Sequence, residues 1–146
     1  MGDGLLEMRD VSVTFSSRRG TVRAVDGVSL DVRAGEVLAL VGESGCGKTT
    51  LIRAILGLEP LTDGSILVEG KPVNQRQRTL RDLRRRVQMV FQDPTGALNP
   101  RHSIYDAVAE GIRIHGVAGN EPDLVAGALS RAGLRPPENY MPRFPH

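Results

Sequence analysis

Three glycines fall within the six residues Gly42–Glu43–Ser44–Gly45–Cys46–Gly47, and a cation and two hydroxyls follow at once as Lys48, Thr49 and Thr50. Glycine at that density permits backbone angles that side chains bar, and it lets the main chain come close to a ligand. Main-chain amides turned into one concavity, next to the partial positive charge of a helix N-terminus, form a receptor for anions and for phosphates above all. The spacing is G-x-x-x-x-G-K-[ST], the phosphate-binding P-loop. In that pattern Lys48 reaches the β- and γ-phosphates, the Thr49 hydroxyl holds Mg²⁺, and Thr50 bonds the α-phosphate. Glu43, Ser44, Gly45 and Cys46 fill the four open positions of the motif, where the backbone does the binding, and Cys46 reads as a small filler. The competing reading is a glycine-rich strand-to-helix turn that binds nothing. Context decides between them, because the motif needs a strand before it and a helix after it.

Just before the loop, VLALV (Val37–Val41) is a short continuous apolar run, as a strand buried on both faces should be. KTTLIRAILG follows as a helix that ends at Gly57, a plausible C-cap. Upstream, Leu5–Phe15 reads as a strand with broken alternation, SSRRG (Ser16–Gly20) as a turn, and Val28–Val32 as a second strand. Downstream, SILVEG is a strand after the turn LTDG, Thr79 can cap a short helix through Arg86, and VQMVF (Val87–Phe91) is another buried strand. QDPTGALNP is a loop stiffened by Pro94 and Pro100. Ser103 can cap a helix running to about His115, and Glu121–Ala132 reads as a helix stopped by Gly133. The tail RPPENYMPRFPH, with four prolines, stays irregular.

Composition is compatible with this plan. The 146 residues suffice for one ordinary domain, and a 40% hydrophobic content argues against disorder. No tryptophan and 3% aromatics point to an aliphatic core. Net charge is only +2, so the chain is no polycation, although Lys71, Arg76, Arg78, Arg81, Arg84, Arg85 and Arg86 face only Asp82 in one window. Such a run can touch phosphates of nucleic acid or lipid, yet more often it is a solvated face, and nucleic-acid binding is not expected. Cys46 is the only cysteine, which rules out an intrachain disulfide and fits a reducing compartment. The N-terminus MGDGLLEMRD carries no signal-peptide pattern, and no apolar run reaches the ~18 residues a membrane span needs.

AVDGVSLDVRAGEVLALVGESGCGKTTLIRAILGL, followed by GSILVEGKPV and RRRVQMVFQDPTGALNPR, resembles the nucleotide-binding subunits of ABC transporters, nearest the oligopeptide/dipeptide importer branch. The resemblance runs from about Leu5 to His146. It implies an α/β fold: an incomplete P-loop NTPase domain of the ABC type, with an antiparallel β part and the start of a helical subdomain. Residues 1–146 would form one partial ATPase domain, 1–100 the β-rich and P-loop portion of the catalytic core and 101–146 a portion of the helical subdomain. The resemblance further implies that Phe15 stacks on adenine, and that Gln92 contacts Mg²⁺ and the region of the attacking water. Asp93–Arg101 would face a transmembrane permease subunit, and a second ATPase subunit would join head to tail. The implied place is the cytoplasmic face of the cell membrane, as a peripheral protein. A GTPase is disfavoured, since a guanine-reading N-K-x-D is absent.

The same resemblance marks what these residues do not supply. The LSGGQ signature, the Walker B strand with its catalytic glutamate and the switch histidine do not occur, and His102, His115 and His146 sit in no matching context. Phosphoryl transfer depends on positioning and on neutralising charge in the transition state. Lys48, Thr49 and Gln92 would therefore bind MgATP with negligible turnover. The expectation is an energy-coupling subunit of a peptide importer. The alternatives are a non-hydrolysing nucleotide-binding fragment, or an ABC ATPase for nickel or another solute. In the implied fold, strands from the absent half would lie between Val37–Val41 and Val87–Phe91, leaving both with open edges and apolar faces.

Overall fold

The computed structural model describes residues 4–18, 20–73 and 77–145. They fall into two units, Met1–Gln88 and Met89–His146.

The first unit is built on an antiparallel hairpin of two long strands, β1 (Gly4–Ser17) and β2 (Gly20–Arg33). Helix α1 (Lys48–Ile55) follows, then β3 (Asp63–Val68), the two-residue β4 (Lys71–Pro72) and helix α2 (Gln77–Arg86). The sheet order is β2-β1-β3-β4 and every pairing is antiparallel. The broken alternation of β1 has a physical cause. Met8, Val11 and Val13 are all buried, a spacing of three and then two that a regular strand cannot place on one face. A register shift between Met8 and Val11, with Asp10 at a φ of 48°, inserts the extra residue and returns Val11 to the core side.

That core joins Met8, Val11 and Val13 of β1 to Val25 of β2, Ile66 of β3, and Leu51 and Ala54 of α1. Leu51 and Ala54 are three apart and so share a helix face, which lays α1 on the sheet. The helix stops where expected. Gly57, at φ 64°, lets its amide bond the Ala54 carbonyl (3.0 Å) and lets the Leu58 amide bond that of Arg53 (2.9 Å), the two closing bonds of a glycine C-cap. A second cluster packs Leu80 and Leu83 of α2 on Val68.

Several expectations need correction. Val37–Val41 and Val87–Phe91 are not strands. A strand's backbone groups need a ladder partner, and among the described residues nothing pairs with either segment. Most of their apolar side chains are correspondingly outside, Val37 at 95% and Val90 at 96% exposed, while Val87 is half-buried against the cluster of Val68, Leu80 and Leu83. The SSRRG turn is tighter than expected, because the strands run to Ser17 and resume at Gly20; Arg19 lies outside the described residues. Helix α2 begins at Gln77, so Thr79 is inside it and not its cap; the Thr79 side chain lies outside the described residues. The stretch QDPTGALNP holds a short helical turn, α3 (Pro94–Ala97).

In the second unit, α4 (Ile104–His115) and α5 (Glu121–Arg131) pack through Ala109, Val125 and Leu129. Ser103 caps α4 by accepting the Asp106 amide at 3.1 Å, and Gly116 ends it at φ 61°. Asn120 caps α5 in the same way through the Asp123 amide. The Arg113 guanidinium donates to both Glu121 oxygens, at 2.9 and 2.6 Å, and the Tyr105 hydroxyl donates to the same carboxylate at 2.9 Å. These donors hold the Glu121 carboxyl below its usual range, Arg113 foremost. The tail contains one 3₁₀ turn, Pro137–Asn139.

Candidate functional site

Of the context that the glycine motif needs, the loop before α1 has the helix and not the strand, since Val37–Val41 forms none. The loop's last residue, Gly47, is the N-cap of the helix, at φ 95° and ψ 0°, and supplies no capping side chain. The first intrahelical bond runs from the Leu51 amide to the Gly47 carbonyl at 2.9 Å. The amides of Lys48, Thr49 and Thr50 therefore stand at an open helix start, with no acceptor among the described residues. No acidic side chain occupies the first turn. Three unsatisfied donors at the positive end of a helix dipole are the local chemistry that attracts an anion.

Lys48 is poised at the same place. Its ammonium donates to the carbonyls of Gly42 and Glu43, at 2.6 Å each, and lies 3.3 Å from the Cys46 sulfur. The loop is thus curled around its own cation, and the Cys46 amide closes the curl on the Glu43 carbonyl at 3.4 Å. Gly45, at φ 83°, makes the reversal that this curl requires. Glu43, Ser44, Cys46 and Thr49 are exposed, while Lys48 and Thr50 are half-buried. Two wider concavities, of about 580 and 670 Å³, are lined by other residues. A triphosphate is recognised here by backbone and a cation, not by an enclosed cavity, so the shallow loop is the better candidate for it.

Phe15 lies near the end of β1, opposite Val22 of β2, and is 42% exposed. It is no core residue, so its ring is available to a flat partner. Gln92 belongs to the second unit and is exposed. One contribution to the loop has no signal in the sequence. The carbonyl of Ala24 in β2 comes so close beneath Gly47 that a Cβ there would sit 2.0 Å from it. Neither the type nor the position of Ala24 announces this.

For the metal, no group of three or more His, Cys, Asp or Glu comes together among the described residues. Mg²⁺ commonly takes only one or two protein ligands and draws the rest from phosphates and water. A hydroxyl such as that of Thr49, exposed at a phosphate-attracting helix start, is a hard oxygen donor of the right kind for that mode.

Comparison with known proteins agrees with the geometry. The family model described as ABC transporter matches residues 25–142. An oligopeptide transport ATP-binding protein, OppF of Bacillus subtilis, is 42% identical over 151 residues, covering 100% of this chain and 49% of that protein. Among solved structures, cbiO1 of Clostridium perfringens, part of the ABC transporter complex cbiONQ, superposes with a TM-score of 0.72 at 27% identity, over 98% of this chain and 55% of that one. A dimeric ATP-binding cassette, MJ0796 with ADP and phosphate bound, shares the fold at a TM-score of 0.77 and 22% identity, over 96% of this chain and 61% of that one. The chain spans about half the length of the curated relatives it matches.

Proposed function

Because this chain belongs to the ABC transporter family, we propose that its glycine loop grips the triphosphate of MgATP within the energy-coupling subunit of a peptide importer. The observation that carries this reading is the open start of α1, with unsatisfied amides at Lys48–Thr50 beside an ammonium that holds only neutral acceptors. Lys48 would bond the β- and γ-phosphates, Thr50 the α-phosphate, and the main chain of Gly42–Gly47 would wrap them. Mg²⁺ would sit on Thr49 and the phosphates, supplying charge neutralisation when bound, with Gln92 as its second protein contact. Phe15 would stack on the adenine. The portion 1–100 would carry the nucleotide and the portion 101–146 would belong to the helical subdomain.

The peptide reading draws on the relative named for oligopeptide transport. The proposed partners are a second ATPase subunit, as in the dimeric cassette, and a permease docking on Asp93–Arg101. No helix of the described residues is long and apolar enough to cross a membrane. Attachment at the cytoplasmic face would run through that permease.

Titration calorimetry with MgATP tests the proposal. The chain should bind MgATP, and Lys48→Ala should abolish binding without unfolding the protein. Unchanged affinity in the variant would remove the site.

A further inference from the structure

A second phosphate-seeking feature lies on the same unit, between the β3–β4 hairpin and α2. A cavity of about 670 Å³ opens there. Its floor is apolar: Val68 and Leu83 are buried in the α2 cluster, and Val73 packs beside them. Its walls carry Lys71 from β4 together with Arg85 and Arg86 from the last turn of α2, against the single carboxylate of Asp82. Arg86 is fixed in place by an ion pair with Glu69. Lys71 and Arg85 pair with no carboxylate among the described residues.

The common explanation for arginines in a last helical turn is compensation of the helix dipole. It is incomplete here. Dipole compensation does not call for Lys71, which comes from a separate element and faces the same cavity. Nor does it explain why unpaired cations surround an apolar floor. The volume falls within the range of small-molecule sites, which combine an apolar lining with a few convergent polar groups. Guanidinium groups match phosphate oxygens with paired donors. We propose that this cavity binds a phosphate-bearing amphiphile. Lys71, Arg85 and Arg86 take the phosphate, and its apolar part rests on Val68, Val73 and Leu83. The chemistry is that of an anionic phospholipid or of a soluble organic phosphate.

The test uses the 146-residue chain carrying Lys48→Ala, so that the glycine loop contributes nothing and the outcome is independent of the nucleotide reading. Co-sedimentation with vesicles of phosphatidylglycerol and phosphatidylcholine gives the affinity, and soluble glycerophosphate serves as competitor. A cation near an anionic lipid surface is worth about fivefold in affinity. Adding Lys71→Ala and Arg85→Ala together should thus weaken vesicle binding about 25-fold. Adding Arg23→Ala and Arg131→Ala, which remove the same charge from exposed sites elsewhere, should leave most of it. Competition by glycerophosphate, sensitive to the same two variants, assigns the cavity to soluble phosphates; its failure to compete assigns it to the lipid surface. Equal losses in both double variants would reduce the effect to net charge and overturn the proposal. So would an absence of binding to both probes.

Discussion

Replacing Gly47 by alanine probes how the loop is seated, and Gly45→Ala is its internal control. Both glycines sit at positive φ, 95° and 83°, where an L side chain costs about 1–2 kcal/mol. At Gly45 the added Cβ meets nothing within 4 Å, so strain is the whole cost. At Gly47 the Cβ would lie 2.0 Å from the Ala24 carbonyl oxygen and 3.1 Å from its carbon. A carbon–oxygen contact needs about 3.3 Å, so helix start and strand must part by more than ~1 Å. The obstacle is backbone of β2, next to Val25 in the core, and cannot swing aside as a side-chain tip would. Overpacking of this kind adds about 1–3 kcal/mol. Urea denaturation followed by circular dichroism should therefore show a loss of about 1–2 kcal/mol for Gly45→Ala and about 2–5 kcal/mol for Gly47→Ala. Calorimetry at low temperature, on folded Gly47→Ala, should find MgATP affinity reduced as well. Equal losses in the two variants would refute the view that β2 holds the helix start in place.

Alkylation of Cys46, exposed in the loop, should slow at least tenfold under saturating MgATP, read by mass spectrometry; an unchanged rate would mean the nucleotide binds elsewhere. Glu121 gives a pH signature. Its folded carboxyl lies below the ordinary value of 4.5 because Arg113 and Tyr105 donate to it. Its contribution is therefore complete above that value and lost as pH falls through the lower, folded one. Glu121→Gln should flatten the acid limb of a stability-versus-pH curve, and an identical limb in the variant would count against the cluster. Val37→Asp and Val90→Asp, at side chains 95% and 96% exposed, should each change the stability of this chain by no more than about 0.5 kcal/mol. A large loss by denaturation would show that these segments are packed after all.

What was legible depended on how local the cause was. The helix start after the glycine loop, the Ser103 cap and the Gly57 stop are written within a few residues, and the structure places each accordingly. The bulge in β1 was visible as irregular spacing of Met8, Val11 and Val13, although its position at Asp10 was not. Non-local causes stayed hidden. Val37–Val41 and Val87–Phe91 carry the composition of buried strands, but composition states only a preference for burial. Whether a ladder forms depends on a partner strand, which neither segment meets among the described residues. The Tyr105–Glu121–Arg113 cluster joins residues up to sixteen apart whose types are ordinary for helix surfaces. The Ala24 carbonyl under Gly47 is backbone, and no side-chain pattern encodes it.

The loop's chemistry follows from where these causes converge. Leu51 and Ala54 fix α1 on the sheet, so the amides at its start are positioned by folding and not by the ligand. An ammonium has three donors. In Lys48 two are taken by the Gly42 and Glu43 carbonyls, and the third side faces the Cys46 sulfur. Sulfur is a weak acceptor, whereas a phosphate oxygen is a charged and strong one. A nucleotide can therefore exchange the poorest of the three contacts for a charge-assisted bond while the two carbonyls keep the side chain in place. That exchange leaves the loop's curl intact, and it explains how a cation already held by its own backbone can still serve a ligand. Losing the ammonium should thus weaken binding twice over, through the missing bond to phosphate and through a loop no longer curled around its centre.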